Sequence, residues 1–209
     1  MKIQLLSDLH LESEAFDPLP HPEADLMVLA GDIDSTWAGY ERFAGWPVPV
    51  LVVAGNHEFD GRELDAAWPA LRAHCGALGL QLLECETVVL RAPDGRRVRF
   101  AGTVRWCDFD AFGPARHAAA LRAGSYFQRV MCATLAGAPF DAPAVRREAL
   151  RCRAWLADML AEPAAGRWRS SGCSGWRRLS APCWAPRCTD SSGRRSRRAS
   201  PTCPHDGIL

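Results

Sequence analysis

Three short apolar segments, each closed by a polar, turn-forming cluster, constrain the fold more than any other feature. The segments are residues 2–6, 26–30 and 48–54, and the clusters that close them are Ser7-Asp8, Gly31-Asp32 and Gly55-Asn56-His57. Segments that are apolar along their whole length are typical of strands covered on both faces of a parallel sheet. Helical patterns over residues 36–45 and 61–75 lie between and after them. The sequence therefore predicts an α/β fold with a parallel sheet.

The middle of the chain continues this alternation. Further strands are predicted over residues 80–84, 87–91 and 97–102, and Pro93-Asp94-Gly95 has the composition of a hairpin turn between the last two. Helices are predicted over residues 114–135 and 142–161, the second on the helical spacing of its apolar residues. We therefore expect one domain over residues 1–163.

The composition changes at about residue 164. Residues 164–209 contain nine arginines, eight serines, four cysteines and three tryptophans but no valine, and they show neither strand nor helix periodicity. Their net charge is +7, against −6 for residues 1–163. Out-of-frame translation of a GC-rich gene would give this composition. We therefore predict that residues 164–209 form an aberrant tail, disordered or frameshifted, that replaces the end of the domain.

Composition also indicates the broad class of protein. The chain is 48% hydrophobic and 23% charged, and it has no apolar run of about 18 residues, so no membrane-spanning helix is expected. Its start lacks the features of a secretory signal. Its nine cysteines are irregularly spaced without a CxxC pair, which favours reduced thiols over disulfides. We expect a cytoplasmic protein.

The residues at the three predicted strand ends are of types that bind metals. Parallel strands bring their carboxyl ends to one edge of the sheet, where sites form in open α/β sheets. Asp8 and His10 are two residues apart, so in an extended segment their side chains would point the same way. Together with Asp32, Asn56 and His57 they offer carboxylate, imidazole and amide donors, a set that suits Mn, Fe or Zn. Each fragment alone reads as an ordinary turn or loop residue, and their joint occurrence carries the prediction.

These fragments resemble a known family. Asp8-x-His10, Gly31-Asp32 and Gly55-Asn56-His57-Glu58 are similar in order and spacing to the first three motifs of the calcineurin-like metallophosphoesterases. The resemblance covers about residues 1–160. It implies a four-layer α/β/β/α sandwich, incomplete here at the C-terminus, and a hydrolase that acts on phosphate monoesters or diesters.

The resemblance also implies roles for the residues. Two divalent ions (Mn, Fe or Zn) would be bound between the strand ends, the first by Asp8 and His10 and the second by Asn56, with Asp32 bridging both. The ions would activate a water that attacks phosphorus. His57 would not bind metal but would donate a proton or hydrogen bond to the leaving oxygen. Glu58 would orient His57 or hold the turn, or else be a solvated carboxylate.

The sequence departs from the family pattern after these motifs. The family's later histidine motifs, including a Gly-His-x-His turn, are absent, and His205 is the only late candidate ligand. The alternative function is therefore a non-catalytic or truncated member that binds a phosphate-bearing ligand or a partner protein. The basic cluster at residues 194–198 could contact nucleic acid, but a solvated tail is the favoured interpretation. Trp106, Asp108 and Phe109 are predicted either to lie near the site or, as favoured, to place Trp106 and Phe109 in the core as a buried aromatic pair.

Overall fold

A computed structural model describes residues 1–162 of the chain. The predicted tail over residues 164–209, with His205, lies outside these residues. The strands are β1 (Ile3–Leu6), β2 (Leu26–Ala30), β3 (Val50–Val53), β4 (Gln81–Leu82), β5 (Glu86–Arg91), β6 (Arg97–Gly102), β7 (Thr134–Leu135) and β8 (Ala138–Pro139). The α-helices are α1 (Leu64–Ala77), α2 (His117–Met131) and α3 (Ala142–Ala161), and short 3-10 helices cover Ala38–Phe43, His57–Phe59 and Pro114–Arg116.

The three apolar segments form three adjacent strands of a four-stranded parallel sheet, with β1 at its edge. The strand order is β1-β2-β3-β4, and all three pairings are parallel. Ile3 pairs with Leu26, and Met27 pairs with Val50, so the carboxyl ends of the first three strands lie side by side. This confirms a mixed α/β fold with a parallel sheet, and it sets Asp8, Asp32 and Asn56 just beyond neighbouring strand ends.

Both faces of this sheet are covered, as its apolar strands require. On one face Met27 and Leu29 belong to the main core, which also contains Leu64 and Leu71 of α1. On the other face Leu26, Leu51 and Leu83 form a smaller cluster. Val88, Leu90 and Phe100 of the antiparallel β5–β6 hairpin pack against that cluster.

The helix predicted over residues 114–135 ends earlier than predicted, so that C-terminal boundary was wrong. Helix α2 ends at Met131, and Cys132 follows in the left-handed conformation, with a φ of 52°. Thr134 and Leu135 instead pair with Pro139 and Ala138 to form the small β7–β8 hairpin. The turn between β7 and β8 uses two positive-φ residues, Ala136 and Gly137, which is typical of tight hairpin turns.

Helix α3 spans the predicted residues 142–161. Asp141 caps it, because the Asp141 carboxylate accepts a hydrogen bond from the backbone N–H of Ala144 at 2.9 Å. Val145, Ala149 and Cys152 are buried on one face of the helix. No helix within residues 1–162 is long and apolar enough to cross a lipid bilayer.

Candidate metal centre

The residues that follow β1 and β2 remain hydrogen-bonded to each other, because the two strands end side by side. The backbone N–H of Asp8 donates to the carbonyl of Gly31 at 3.0 Å, and that of His10 donates to the carbonyl of Asp32 at 3.1 Å. These bonds extend the parallel pairing past the strand ends. They hold the first two predicted motifs against each other at the carboxyl edge of the sheet.

Three of the predicted site residues have unusual backbone conformations. Asp8, His10 and Asp32 have φ values of 52°, 45° and 53°, in the left-handed region that residues with a side chain rarely adopt. Asp8 and His10 are therefore not in an extended segment, and the expectation that they point the same way by strand alternation is wrong. Strained backbone of this kind clusters at functional sites, where the surrounding structure holds it in place.

The folded chain brings together three of the predicted side chains. His10, Asp32 and His57 each offer a ligand atom, and these atoms lie within 4.8 Å of one another. The two imidazole rings meet edge to face, with centroids 4.7 Å apart. The exposed Asp8 follows β1, as His10 does, but is not part of this group. His57, which the family resemblance assigns to proton donation, thus lies close enough to serve as a ligand instead.

Each of the two histidines is held by a carboxylate on its Nδ1 atom. His10 Nδ1 lies 3.2 Å from Glu12 Oε1, and His57 Nδ1 lies 2.7 Å from Asp60 Oδ2. The hydrogen bond to Asp60 raises the pKa of His57 to about 9, although burial opposes the shift. Burial would raise the pKa of Glu12, but hydrogen bonds from backbone N–H groups, including that of Ser35, lower it overall. Carboxylates in this position fix the ring orientation of metal-binding histidines and leave Nε2 free.

Asp32 is placed by close contact between two glycine-containing turns. A Cβ atom added at Gly55 would lie 2.2 Å from Asp32 Oδ1, so only glycine fits there. Gly31, with a φ of 87°, lies against the backbone of Gly55. The backbone N–H of His57 also donates to Asp32 Oδ1 at 3.1 Å. The second and third motifs are thus joined through the Asp32 carboxylate.

Glu58 holds both of these turns. Its side chain is fully buried. One carboxylate oxygen accepts the N–H of Ile33 at 2.7 Å and the Tyr40 hydroxyl at 3.1 Å, and the other accepts the N–H groups of Gly55 at 2.6 Å and Asp32 at 3.2 Å. Burial raises the pKa of Glu58, while the backbone hydrogen bonds oppose that shift. The sequence left three roles open for Glu58, and this geometry matches the role of holding the turn.

Asn56 carries a polar atom with no protein partner. Its side-chain nitrogen is buried and has no hydrogen bond to any of residues 1–162. Buried polar atoms are nearly always paired, so a bound ligand or a water would satisfy this one. A side-chain amide presents oxygen or nitrogen in nearly the same shape, and exchanging the two would put an oxygen at this position. The residue therefore fits the predicted use of its amide oxygen as a ligand.

The segment from Trp106 to Phe109 belongs to the core. Both aromatic rings are buried, and Trp106 packs against Phe59 and Phe140 with ring centroids 5.7 Å and 5.0 Å apart. This is the buried arrangement favoured from the sequence. Because Phe59 follows Glu58 directly, the packing supports the turn that carries the third motif.

Sequence reasoning missed two carboxylates of the site, Glu12 and Asp60. Glu12 lies two residues after His10, and Asp60 lies three residues after His57 across a short 3-10 helix. An acidic residue two or three positions from a candidate histidine is a signal that could have found both. It is weak by itself, because such pairs are common in solvent-exposed turns.

The fold and this edge of the sheet define a mixed α/β protein with a candidate metal site at its strand ends. A similar structure is the crystal structure of a phosphopantetheinyl hydrolase from Mycobacterium tuberculosis, with a TM-score of 0.54 and 17% sequence identity. The match covers 78% of this chain and 64% of that chain, so this chain spans less than two thirds of that hydrolase. At this identity the likeness is one of fold. No protein-family model matches the chain, and no curated protein matches it.

Proposed function

We propose that the chain is a phosphate-ester hydrolase of the calcineurin-like metallophosphoesterase type, with the four-layer α/β/β/α sandwich of that family. The observation that carries the proposal is the meeting of His10, Asp32 and His57 at the carboxyl ends of adjacent parallel strands. The fold shared with a protein named as a phosphopantetheinyl hydrolase supports hydrolysis of a phosphate ester as the reaction class.

The donor set fits divalent cations. Asp8, His10 and Asp32 would hold the first ion, and Asp32 and Asn56 would hold the second. Carboxylate, imidazole and amide donors suit Mn, Fe or Zn. The side-chain nitrogen of Asn56 is buried without a partner among residues 1–162, which is compatible with a bound ion beside this amide. When bound, such ions polarise the phosphate and activate water for attack.

The chain's own residues would then position the substrate and supply the proton. Glu58 holds the turns of Asp32 and Gly55, so the donors need not reorganise when substrate binds. Asp60 holds His57 by its Nδ1 atom and leaves Nε2 to donate a proton to the leaving oxygen. The substrate would be a phosphate monoester or diester.

A second candidate function rests on the size of the donor set. With Asp32 bridging, the first ion would have three protein ligands and the second only two, whereas catalytic metal sites commonly have three. Residues 1–162 bring no further histidine, cysteine or acidic side chain into the group of His10, Asp32 and His57. A chain with this incomplete set of metal ligands would bind a metal and a phosphate-bearing ligand without turnover.

The test is hydrolysis of p-nitrophenyl phosphate and bis-p-nitrophenyl phosphate by the purified 209-residue chain with Mn²⁺, alongside calorimetric titration with Mn²⁺. Asp32→Ala removes the bridging carboxylate, and Asp17→Ala is the matched control at an exposed carboxylate. Mn²⁺-dependent turnover that Asp32→Ala abolishes and Asp17→Ala keeps supports the hydrolase. Mn²⁺ binding that depends on Asp32 without turnover supports the second candidate. Folded protein that neither binds Mn²⁺ nor turns over either ester contradicts both.

A further inference from the structure

A second group of metal-binding side chains lies away from the strand-end site. Glu84 and Cys85 are in the connection between β4 and β5, and Cys152 is on α3. Their three ligand atoms lie within 4.8 Å of one another. Cys152 is fully buried, and the Glu84 side chain is 10% exposed. None of these residues belongs to the motifs that suggest the hydrolase.

The spacing of the three ligand atoms matches one coordination sphere. The two sulfurs are 4.0 Å apart, and each lies 3.6 Å from Glu84 Oε1. With Zn–S bonds of about 2.3 Å and Zn–O bonds of about 2.1 Å, tetrahedral zinc places two sulfurs about 3.8 Å apart and sulfur and oxygen about 3.6 Å apart. Small side-chain movements would therefore bring all three atoms onto one ion.

The surroundings hold these side chains in place. The other oxygen of Glu84 accepts the backbone N–H of Val104 at 2.9 Å and the hydroxyl of Thr103 at 3.2 Å, which leaves Oε1 directed at the sulfurs. Hydrogen bonds of this kind orient ligating carboxylates in known metal sites. Cys85 has a φ of 51°, a conformation that a cysteine adopts only where its surroundings impose it.

The charges also suit a divalent cation. Two thiolates and a carboxylate around one Zn²⁺ leave a net charge of −1. Arg151 supplies the compensating charge, since its guanidinium donates to Glu84 Oε1 at 3.0 Å and to Cys85 Sγ at 3.3 Å. Without an ion, neutral thiols and the Glu84–Arg151 pair are balanced as well. Arg151 also pairs with Glu148, whose carboxylate lies 2.8 Å from its Nε atom, so with Glu148 counted the net charge is −1 both with and without the ion.

We propose that Glu84, Cys85 and Cys152 form a second cation site that binds Zn²⁺, with one coordination position left for water. On binding, the S–H bonds of both cysteines break, two protons pass to solvent, and the sulfur lone pairs bind the ion without oxidation. Two sulfur donors and one oxygen favour zinc over the harder cations. The ion would tie α3 to the connection between β4 and β5.

The test uses Co²⁺ as a spectroscopic probe on the reduced, chelator-washed full chain. We expect a saturable thiolate-to-cobalt charge-transfer band that Zn²⁺ abolishes by displacement. The strand-end site has no sulfur, so the band reports only on cysteines. A background chain with Cys173, Cys183, Cys188 and Cys203 changed to serine keeps the band if the site is the proposed one.

In that background, Cys85→Ser/Cys152→Ser should lose the band, whereas the matched pair Cys75→Ser/Cys107→Ser should keep it. If the Cys85→Ser/Cys152→Ser variant does not fold, X-ray absorption of zinc bound to the background chain tests the site instead. We then expect two sulfur neighbours at about 2.3 Å from zinc. Four results would overturn the proposal. The band could be absent from the full chain, survive in Cys85→Ser/Cys152→Ser, or disappear when the four tail cysteines are replaced. The zinc spectrum could also show no sulfur neighbour.

Discussion

Gly55 lies so close to Asp32 that any side chain at Gly55 would collide with the Asp32 carboxylate. The added Cβ would be 2.2 Å from Asp32 Oδ1 and 2.6 Å from its backbone nitrogen. The two residues come from the ends of neighbouring strands, so this contact fixes how the second and third motifs meet. The glycine is therefore needed for space at a candidate ligand.

Replacing Gly55 with alanine should displace Asp32. We expect Gly55→Ala to lower the free energy of unfolding by about 1–3 kcal/mol, as overpacked sites do, and to weaken Mn²⁺ binding measured by calorimetry. Gly76→Ala is the matched control, because Gly76 lies in α1 with open space around its Cα, and alanine there should stabilise the helix by up to about 1 kcal/mol. Mn²⁺ affinity equal to wild type in Gly55→Ala would contradict the role given to this contact.

The Glu58 carboxylate accepts four hydrogen bonds, and glutamine cannot replace it. In Glu58→Gln the amide NH₂ would face backbone N–H groups, leaving buried donors unpaired at a cost of about 1–3 kcal/mol each. We expect a lower midpoint in guanidinium unfolding. Glu41→Gln, at an exposed position, should change stability by less than about 0.5 kcal/mol. Equal midpoints for the two variants would show that Glu58 does not hold the turns.

His57 should titrate at an elevated pH because of Asp60. The folded-state pKa of about 9 lies above the ordinary value of 6.5, so folding favours the protonated ring. This contribution to stability is complete below pH 6.5 and is lost as the pH rises through about 9. Asp60→Asn should return the pKa of His57 towards 6.5 in the chelator-treated protein.

The measurement for His57 is the pH dependence of its ring proton shifts by NMR, with His57→Gln identifying the resonance. Asp17→Asn serves as the control for loss of a carboxylate far along the chain. An unchanged His57 pKa in Asp60→Asn would mean that the 2.7 Å contact does not control its protonation.

The change of composition after residue 163 makes a prediction about the coding DNA. If residues 164–209 are read out of frame, one of the other two frames past codon 160 should encode apolar strands and a Gly-His-x-His turn. Translation of the three frames tests this directly. Three frames without those features would leave the tail as a genuine part of the gene product.

The local elements were predictable because their signals lie in short stretches of sequence. The apolar segments at 2–6 and 26–30 became β1 and β2, and helix α3 spans the predicted residues 142–161. The prediction of a helix over residues 114–135 was wrong at its C-terminal end, because the turn at Ala136 and Gly137 lets Thr134 pair with Pro139 in a hairpin. A two-residue strand has too few residues to show a period.

The sequence by itself determined which side chains lie at the strand ends. Within a few residues of the apolar segments and their turns come Asp8, His10, Asp32, Asn56 and His57. Only the tertiary structure decided which of them meet. Left-handed backbone at Asp8, His10 and Asp32 replaces the expected extended path, so side-chain direction could not be deduced from alternation. Glu84 and Cys152 are 68 residues apart, and no local pattern links residues that only the packing of α3 brings together.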